Sequence, residues 1–528
     1  MSFRIATAAA MIGGTLAGAL AAAPAGAQTI NYMMNLDAPH YDPHRTSAGT
    51  TADILFLLGD TLTTIDFDLK TVKPHLAKSW TVSEDGKLYT FQLREDVSFC
   101  SGKKMTAEDV VYSFKRATSP DIKSPFYWRM GKVKDIRATG PYTVEYELEE
   151  PFNELPLQLS NFQGTIINKE NVESLGKDFG VKGFDGTGPY CWGDWQPRSQ
   201  LTMTRHDAYK WGPSIYENPG PVKFEKMVMK IVPEESARVA AMLGGQVDFS
   251  FSMPDQSLPM MAKAPNVTVY KPPANQRLFY LGFKTTRENV SDKRVRTALS
   301  QAIDREQLVK GIYFGNAEPA SSYIHPNALG YSAEAPQHLG KYDPEGAGKL
   351  LDEAGWKMGD DGFRYKDGKK LELLLYGFAA GRSPKVTEAV QGFWRQIGVD
   401  LKLQMWDGTI VFSKLAQQDY DIWSIAFPYS GAGDALRLYF HSGNVPTPNR
   451  MNWKDPETDR LLELALGTND PAEKAKALAE VQTIVQDNAL WVPLAHEGLT
   501  LVANNKVKNV KAHAFYTSLV YKTLDWSF

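Results

Sequence analysis

A strand followed by a helix is predicted where the hydrophobic period changes near residue 100. Apolar and polar residues alternate over Leu88–Leu93, which is typical of a half-buried strand. After a turn at Ser101-Gly102, apolar residues recur with the spacing of one helix face: Val110, Phe114 and Ala117. Thr106 is the expected N-cap of this helix, and Asp109 lies three residues on, where it can cap reciprocally.

Two further segments show helical periodicity. Residues 235–249 predict a helix that is ended by Gly244-Gly245 and followed by a strand. Residues 292–315 predict two helices, the second capped by Asp304. The first of these two is expected to bury one face, formed by Val295, Leu299 and Ala302.

Length and charge limit the class of protein. The chain has 528 residues and a formal net charge of −3 at pH 7, with both signs interspersed. A chain of this length holds more than one hydrophobic core, so two or three domains are expected. The near-neutral charge argues against a nucleic-acid-binding surface, and no nucleic-acid partner is expected.

The first 27 residues have the pattern of a cleavable signal peptide. Arg4 is the only charged residue before Asp37, residues 5–23 are apolar and rich in alanine and glycine, and residues 25–27 (Ala-Gly-Ala) fit a cleavage site. The alternative is an uncleaved membrane anchor, although alanine and glycine make the segment weakly hydrophobic. Since the first cysteine is Cys100, no lipoprotein anchor is expected at this junction. A freely soluble periplasmic protein is predicted.

Several segments carry a resemblance to a known family. Residues 74–116 include PHLAKSW and EDGKLYTFQLREDVSFCSGKKMTAEDVVYSFKRA, residues 186–190 read GTGPY, and residues 36–44 read LDAPHYDPH. These segments resemble the extracellular solute-binding proteins of the peptide, opine and nickel class, which serve ABC importers. The resemblance continues in the same order through residues 235–249, 292–315, 342–356 and 472–493. It implies a receptor that hands over a solute, not an enzyme.

The resemblance also implies an architecture. The expected fold is α/β, a two-lobe periplasmic-binding-protein fold of type II, in the large class with an additional small domain. Lobe I is predicted at residues 28–57, 186–280 and 491–528, the small domain at residues 58–185, and lobe II at residues 281–490. Two crossover segments would join the lobes and absorb hinge bending between them.

Two cysteines in a secreted chain suggest one disulfide, between Cys100 and Cys191. Each follows an aromatic residue of a predicted strand, and each lies next to a segment expected near a domain junction. The alternative is a pair of buried free thiols. Closing a loop of about 90 residues would contribute up to ~4 kcal/mol in the chain-entropy description.

The expected amine-binding position departs from the family pattern. In peptide-binding members of this class, an aspartate in the second lobe accepts the α-amino group of the peptide. The matching segment, residues 420–440, places Ser430 at that position, or Gly431 with a one-residue slip, and Phe427 where a tryptophan would stand. The nearest acid is Asp434. Because a buried ammonium group needs a partner, either Asp434 takes this role or the ligand has no free amine there.

Other ligand contacts are suggested by residue type and position. Arg382 lies roughly where dipeptide binders place an arginine for the ligand carboxylate, and a guanidinium suits a carboxylate bidentately. The alternative is a surface arginine in a turn. Candidate aromatic walls of the site are Tyr127, Trp128, Trp423, Phe427 and Tyr429. Such residues either belong to the core or offer sugars and aromatic groups a surface to stack on.

The leading hypothesis is a periplasmic receptor for a short peptide or peptide-like solute. It would deliver this solute to the membrane permease subunits of an ABC importer, and we expect it to be a monomer. An oligosaccharide or opine receptor of the same fold is the alternative, favoured by the serine at position 430. Service as a ligand-presenting partner of a chemoreceptor is compatible with either.

Metal, cofactor and enzyme interpretations have little support in the sequence. His40 and His44 have i, i+4 spacing, but a proline before each excludes a helix that would bring them together for nickel. Ser101 and Lys104 match the S-x-x-K pattern of serine hydrolases, but the helix begins only near Thr106 and the partner motifs are absent. Nucleotide-binding loops are also absent, so no cofactor is expected.

Overall fold

Two mixed β-sheets form the framework of the molecule. The computed structural model describes residues 28–46, 48–272, 277–407, 410–515, 518–519 and 522–528, so the predicted signal peptide lies outside the described residues. The strands in chain order are β1 Thr29–Met34, β2 Thr63–Ile65, β3 Val72–Pro74, β4 Ala77–Val82, β5 Leu88–Leu93, β6 Val133–Gly140, β7 Thr143–Leu148, β8 Tyr190–Gln196, β9 Gln200–Arg205, β10 Lys226–Ile231, β11 Phe249–Ser250, β12 Val267–Tyr270, β13 Arg277–Phe283, β14 Ala317–Pro319, β15 Lys357–Met358, β16 Arg364–Lys366, β17 Lys369–Lys370, β18 Glu372–Phe378, β19 Asp400–Trp406, β20 Ile422–Pro428, β21 Trp491–Glu497, β22 Leu501–Asn504, β23 Ala514–Phe515 and β24 Ser518–Leu519.

Helices cover the faces of these sheets. In chain order they are α1 Gly49–Leu58, α2 Ala107–Thr118, α3 Leu155–Gln158, α4 Lys169–Leu175, α5 Glu235–Leu243, α6 Leu258–Met261, α7 Glu288–Ser291, α8 Lys293–Gln301, α9 Arg305–Tyr313, α10 Pro344–Glu353, α11 Ser383–Gln396, α12 Val411–Ala416, α13 Ala432–Phe440, α14 Pro456–Gly467 and α15 Pro471–Asp487. In the described part of the chain, none of them has the length and apolar character needed to span a bilayer.

Each lobe is built on one sheet. The first is seven-stranded, in the order β12-β22-β11-β1-β10-β9-β8, and β1 runs parallel to both β10 and β11. The second is six-stranded, in the order β14-β21-β13-β20-β18-β19, and β18 runs parallel to β19 and β20. Strands and helices therefore form the predicted α/β, two-lobe fold.

The chain passes between the sheets twice. It leaves the first sheet after β12 and enters the second at β13, and it returns between β21 and β22. The predicted first lobe includes residues 491–528 and 277–280, and these ranges contain β21 and the start of β13. In the structure, β21 pairs with β13 in the second sheet. The reason is non-local: Trp491–Glu497 is wholly buried and could cover either sheet, and only its partner strand decides which one.

The strand predicted near residue 90 belongs to a smaller sheet, in the order β4-β5-β7-β6. The predicted strand is β5, and the predicted helix is α2, whose capping box between Thr106 and Asp109 is present. Its apolar face is buried, as expected: Val110, Phe114 and Ala117. This face packs into one continuous hydrophobic core together with residues of the first sheet.

The other predicted helices are also confirmed. Residues 235–249 form α5 and then β11, with Gly244 following the helix. Residues 292–315 form α8 and α9, and Asp304 caps α9 by accepting a hydrogen bond from the backbone N–H of Gln307 at 2.9 Å. The expected inward face of α8 is buried: Val295, Leu299 and Ala302.

A disulfide joins Cys100 and Cys191, with 5.7 Å between the Cα atoms. The prediction of this bond is confirmed, and the alternative of two free thiols is wrong. Cys100 precedes α2 and Cys191 lies in β8. The bond therefore ties the segment leading into α2 to the edge strand of the first sheet.

Candidate functional site

The lobes meet at the carboxyl ends of their parallel strands. In the second sheet, Phe378 and Trp406 lie side by side at the ends of β18 and β19. Arg382 follows β18, Asp255 follows β11 of the first sheet, and Arg382 Nη2 donates to Asp255 Oδ1 at 2.7 Å. Ligands of open α/β sheets bind in the crevice outside the carboxyl strand ends. This junction is therefore the candidate cleft.

Arg382 is held by carboxylates of the protein. Besides Asp255, its Nη1 lies 3.4 Å from Glu497 Oε1, at the end of β21. Its guanidinium also lies over the ring of Tyr313, at 5.1 Å from the centroid. Burial lowers the pKa of Arg382, but Glu497 and Asp255 outweigh this effect and raise it. The arginine predicted for a ligand carboxylate is thus fully charged and already paired across the lobes.

Two further polar residues complete this arrangement, which we call the crossover cluster: Arg277, Arg382, Asp255, Glu497 and Asn316. Arg277 Nε lies 2.8 Å from Glu497 Oε2. Asn316 Nδ2 donates to Asp255 Oδ1 at 2.8 Å. Two guanidinium groups and two carboxylates balance one another, so the cluster is neutral. It lies where the chain passes from one sheet to the other.

Asp434 belongs to a second contact, between the small domain and the second lobe. It lies in the first turn of α13, and its Oδ2 is 3.1 Å from Nη2 of Arg129. The side chains of Asp434 and Arg129 are 0% and 1% exposed. The backbone N–H of Ser430 donates to the same carboxylate at 2.9 Å. Burial raises the pKa of Asp434, and the charge of Arg129 opposes this shift.

Ser430 lies beside this ion pair and also contacts the small domain. Asn161 Nδ2 donates to its hydroxyl at 3.2 Å, and both side chains are fully buried. Ser430, the residue expected at the amine-binding position, therefore takes part in a neutral hydrogen bond between domains. The structure brings Ser430 and Asp434 together, and Arg129 is the group that Asp434 binds.

The predicted aromatic residues fall into two groups. Trp423, Phe427 and Tyr429 belong to a core cluster of the second lobe. Tyr429 Oη also accepts a hydrogen bond from the backbone N–H of His325 at 2.7 Å. Packing within a lobe thus accounts for all three.

The other two aromatic residues lie at the surface of the small domain. Tyr127 and Trp128 belong to a short 3₁₀ helix, Tyr127–Met130, next to the Asp434 contact. Tyr127 is 65% exposed, whereas Trp128 is half-buried and its ring lies 5.0 Å from the guanidinium of Arg129. Trp128 packs in part against the core that includes the first sheet, whereas Tyr127 faces solvent.

The histidine pair does not form a cation site. His44 is buried, with Nδ1 3.0 Å from Nη1 of Arg116, and burial lowers its pKa to about 3. His40 Nδ1 accepts a hydrogen bond from the backbone N–H of Asp42 at 3.2 Å. An arginine beside the ring opposes a second cation. A different group, of Cys100, Cys191 and His206, lies close enough for a metal, but the disulfide removes both thiolates.

The partners in the cleft were not predicted from the sequence. Asp255 lies 127 positions from Arg382, and Arg129 lies 305 positions from Asp434. No local pattern links residues so far apart. The one available signal was position: Arg129 directly follows the predicted aromatic pair, and Glu497 ends a buried strand.

Comparisons of the sequence with known proteins show the family of the chain. A sequence profile described as bacterial extracellular solute-binding proteins, family 5 Middle, matches residues 71–479. The glutathione-binding protein GsiB of Salmonella paratyphi A is 28% identical over 445 residues, which cover 82% of each chain.

Solved structures show the same fold. The oligopeptide-binding protein AppA from Bacillus subtilis, in complex with a nonapeptide, matches with a TM-score of 0.80 and 22% identity, over 95% of this chain and 99% of its own. NikZ from Campylobacter jejuni, in complex with Ni(L-His), matches with a TM-score of 0.78 and 23% identity, over 95% and 99%. At these identities, the likeness concerns the fold.

Proposed function

Because this chain belongs to family 5 of the bacterial extracellular solute-binding proteins, we propose that it captures a short peptide or peptide-like solute between its lobes. It then delivers the solute to the permease subunits of an ABC importer. Similarity to glutathione-binding and oligopeptide-binding proteins supports a peptide-like solute. In this proposal the lobes move as bodies, and the segments between β12 and β13 and between β21 and β22 are the hinge.

The observation that carries the proposal is the polar contact between the lobes at the carboxyl strand ends. Arg382 of the second lobe donates to Asp255 of the first lobe, while Asn161 of the small domain donates to Ser430 of the second lobe. A solute between the lobes can contact polar side chains of both lobes at once only when the lobes are closed. A solute that contacts both sides therefore binds the closed state more tightly and shifts the population toward it.

One feature favours the second candidate, an oligosaccharide or opine receptor. Two acids that could receive an amino group are both engaged, Asp434 by Arg129 and Asp255 by Arg382. A solute with a free amino group would have to displace an arginine from one of them. A solute without an amine at this end avoids that cost. Exposed Tyr127 and half-buried Trp128 would suit a sugar ring.

We further propose that residues 1–27 are removed on secretion, and that the mature protein is a periplasmic monomer without catalytic activity. The receptor character of the family supports the last point. Ser101, which has a lysine at hydrolase spacing, donates its hydroxyl to Asp185 Oδ2 at 2.6 Å in an exposed turn. A serine engaged in this way is a turn residue, not a nucleophile.

The test has two steps. Native mass spectrometry of protein purified from the periplasm without denaturation should show a co-purified solute, whose mass separates a peptide from a sugar or opine. Thermal unfolding is then followed with glutathione, dipeptides, tripeptides, an opine and an oligosaccharide. The true solute class should raise the melting temperature with concentration. A rise with oligosaccharides alone would overturn the peptide proposal in favour of the alternative.

A further inference from the structure

Arg450 is a buried cation for which the protein supplies no counter-ion. It lies in the loop before α14 and is 8% exposed. Its Nε is buried and has no hydrogen-bond partner. Within the parts of the chain that the structure describes, the Arg450 guanidinium forms no ion pair and donates no hydrogen bond. Three other buried arginines without a counter-ion in the described chain donate to backbone carbonyls instead: Arg238, Arg296 and Arg305. A buried charge without a partner is unfavourable, so it points to an acceptor from outside the protein.

The surroundings of Arg450 are aromatic and reach the edge of the candidate cleft. Its guanidinium carbon lies 5.7 Å from the ring of Phe412, which is 48% exposed in the first turn of α12. Phe412 packs edge-on against Phe378 at 5.7 Å. Phe378 ends β18 beside Trp406, which ends β19, at the carboxyl edge described above. The indole N–H of Trp406 is buried and has no partner in the described structure.

Two positively charged side chains lie near these rings, Lys414 and Arg450. Lys414 Nζ lies 4.8 Å from the ring of Trp406. Burial raises the pKa of Tyr420 and of Tyr280, and the charge of Arg450 opposes both shifts. Arg450 is therefore close enough to act on both hydroxyls. Together these groups favour an anion over a cation at this place.

We propose that Arg450, Phe412, Phe378 and Trp406 form a subsite that binds a carboxylate carried on an apolar or aromatic part of the solute. A guanidinium matches a carboxylate with parallel hydrogen bonds, and the rings accommodate the adjoining apolar atoms. Arg382 is already neutralised by Asp255 and Glu497. In this proposal Arg450, and not Arg382, binds the carboxylate of the solute. This inference rests on the proposed function and specifies the charge of its solute.

The experiment uses benzoate and its neutral isostere benzamide as probes of the mature protein. Binding is followed by isothermal titration calorimetry and by the intrinsic fluorescence of the tryptophans. Wild type should bind benzoate about tenfold more tightly than benzamide, because only benzoate neutralises the guanidinium. In Arg450→Gln the two probes should bind within twofold of each other, and Arg450→Lys should keep part of the preference for benzoate.

Arg395→Gln is the matched control. Arg395 also lies over an aromatic ring, that of Phe363 at 3.8 Å, but it is exposed on α11 of the same lobe. This variant should keep the full preference for benzoate. Equal binding of both probes by wild type, or an unchanged preference in Arg450→Gln, would overturn the subsite. Loss of the preference in both variants would do the same, since it would mark a general charge effect.

The melting temperature of the empty protein gives a second readout. If Arg450 serves a ligand, removing its unpaired charge in Arg450→Met should leave the melting temperature unchanged or raise it. A drop of several degrees would mark Arg450 as a structural residue and contradict the proposal. Failure of the peptide panel is a separate result: it would reject the proposed solute class while the comparison of benzoate with benzamide still decides the subsite.

Discussion

Asp434 shows how a neighbouring domain changes the role of a single residue. The sequence made it the nearest acid to the expected amine site, but Arg129 of the small domain lies 3.1 Å from its carboxylate. Both side chains are buried, so neither charge is solvated by water. Removing one partner of such a pair leaves the other charge buried and uncompensated, which is strongly unfavourable.

We therefore expect Asp434→Ala to lower the free energy of unfolding of the empty protein by about 3–5 kcal/mol, as measured by urea denaturation. Asp419→Ala is the control: Asp419 is 74% exposed and pairs with half-exposed Arg287, and removing a surface pair costs ~1 kcal/mol or less. A variant Asp434→Ala that keeps full stability but loses solute affinity would show that Asp434 serves the ligand after all.

At the scale of single residues, the sequence suggested positions but not partners. Arg382 and Ser430 lie in the loops that follow β18 and β20, and contact of either with a solute stays a prediction. Sequence reasoning did not find Asp255 or Asn161, because the hydrogen bonds they make depend on how distant parts of the chain dock. For Trp423, the sequence left core and ligand wall open, and the fold places the residue in a core cluster.

At the scale of elements, the sequence predicts those helices and strands whose pattern lies within one short segment. The capping box and apolar stripe of α2 lie within one short segment, so the helix could be predicted with its first residue. Strand β21 was assigned to the wrong sheet because membership of a sheet depends on a distant partner. The disulfide could be predicted because the two cysteines of a secreted chain leave only one pairing within it.

The disulfide should contribute strongly to stability through the segments that it joins. It closes a loop of 91 residues between the turn before α2 and β8, and cross-linking a loop of this length restricts the unfolded chain by about 4 kcal/mol. The variant Cys100→Ser/Cys191→Ser should therefore have a free energy of unfolding that is smaller by about this amount. Its urea midpoint should be correspondingly lower. Reductant should shift the wild type to the same midpoint and leave the variant unchanged. Equal stability of wild type and variant would contradict this expectation.

At the scale of the whole molecule, stability should depend on pH through histidines that are buried in different regions. Burial lowers the pKa of His44 and of His496 to about 3, and that of His75 to about 4. In the unfolded chain these groups titrate near 6.5. At pH values between the folded and the unfolded pKa, the unfolded chain binds more protons than the folded protein. The free energy of unfolding is therefore highest above about pH 6.5 and decreases as the pH falls.

Integrated over these three histidines, the free energy of unfolding should be about 4 kcal/mol lower at pH 5.5 than at pH 7. Urea denaturation at the two pH values measures this difference. His496→Gln should remove roughly a third of it, since one titrating group is lost. Stability that stays constant over this range would show that the folded protein does not lower these pKa values, and an undiminished pH dependence in the variant would show the same for His496.

Motion of the lobes is the last property to follow from the contacts between them. Arg382 and Asp255 join the lobes beside the crossover segments, with side chains 28% and 10% exposed. Because the pair is partly solvated, its loss should disfavour the closed state by only about 1–2 kcal/mol. At ~1.4 kcal/mol per tenfold change, this shifts the ratio of closed to open molecules by roughly five- to thirtyfold.

Arg382→Ala should accordingly increase the radius of gyration of the solute-free protein in small-angle scattering, and saturating solute should reduce it again. The exchanged pair Arg382→Asp/Asp255→Arg tests the ion pair itself, because it restores attraction between the lobes with the charges reversed. However, Glu497, whose Oε1 lies 3.4 Å from Nη1 of Arg382, would then face a second carboxylate in place of the guanidinium, so only partial recovery of the closed form is expected. An unchanged radius of gyration in Arg382→Ala would mean that other contacts, such as that between Asn161 of the small domain and Ser430 of the second lobe, suffice to hold the cleft shut.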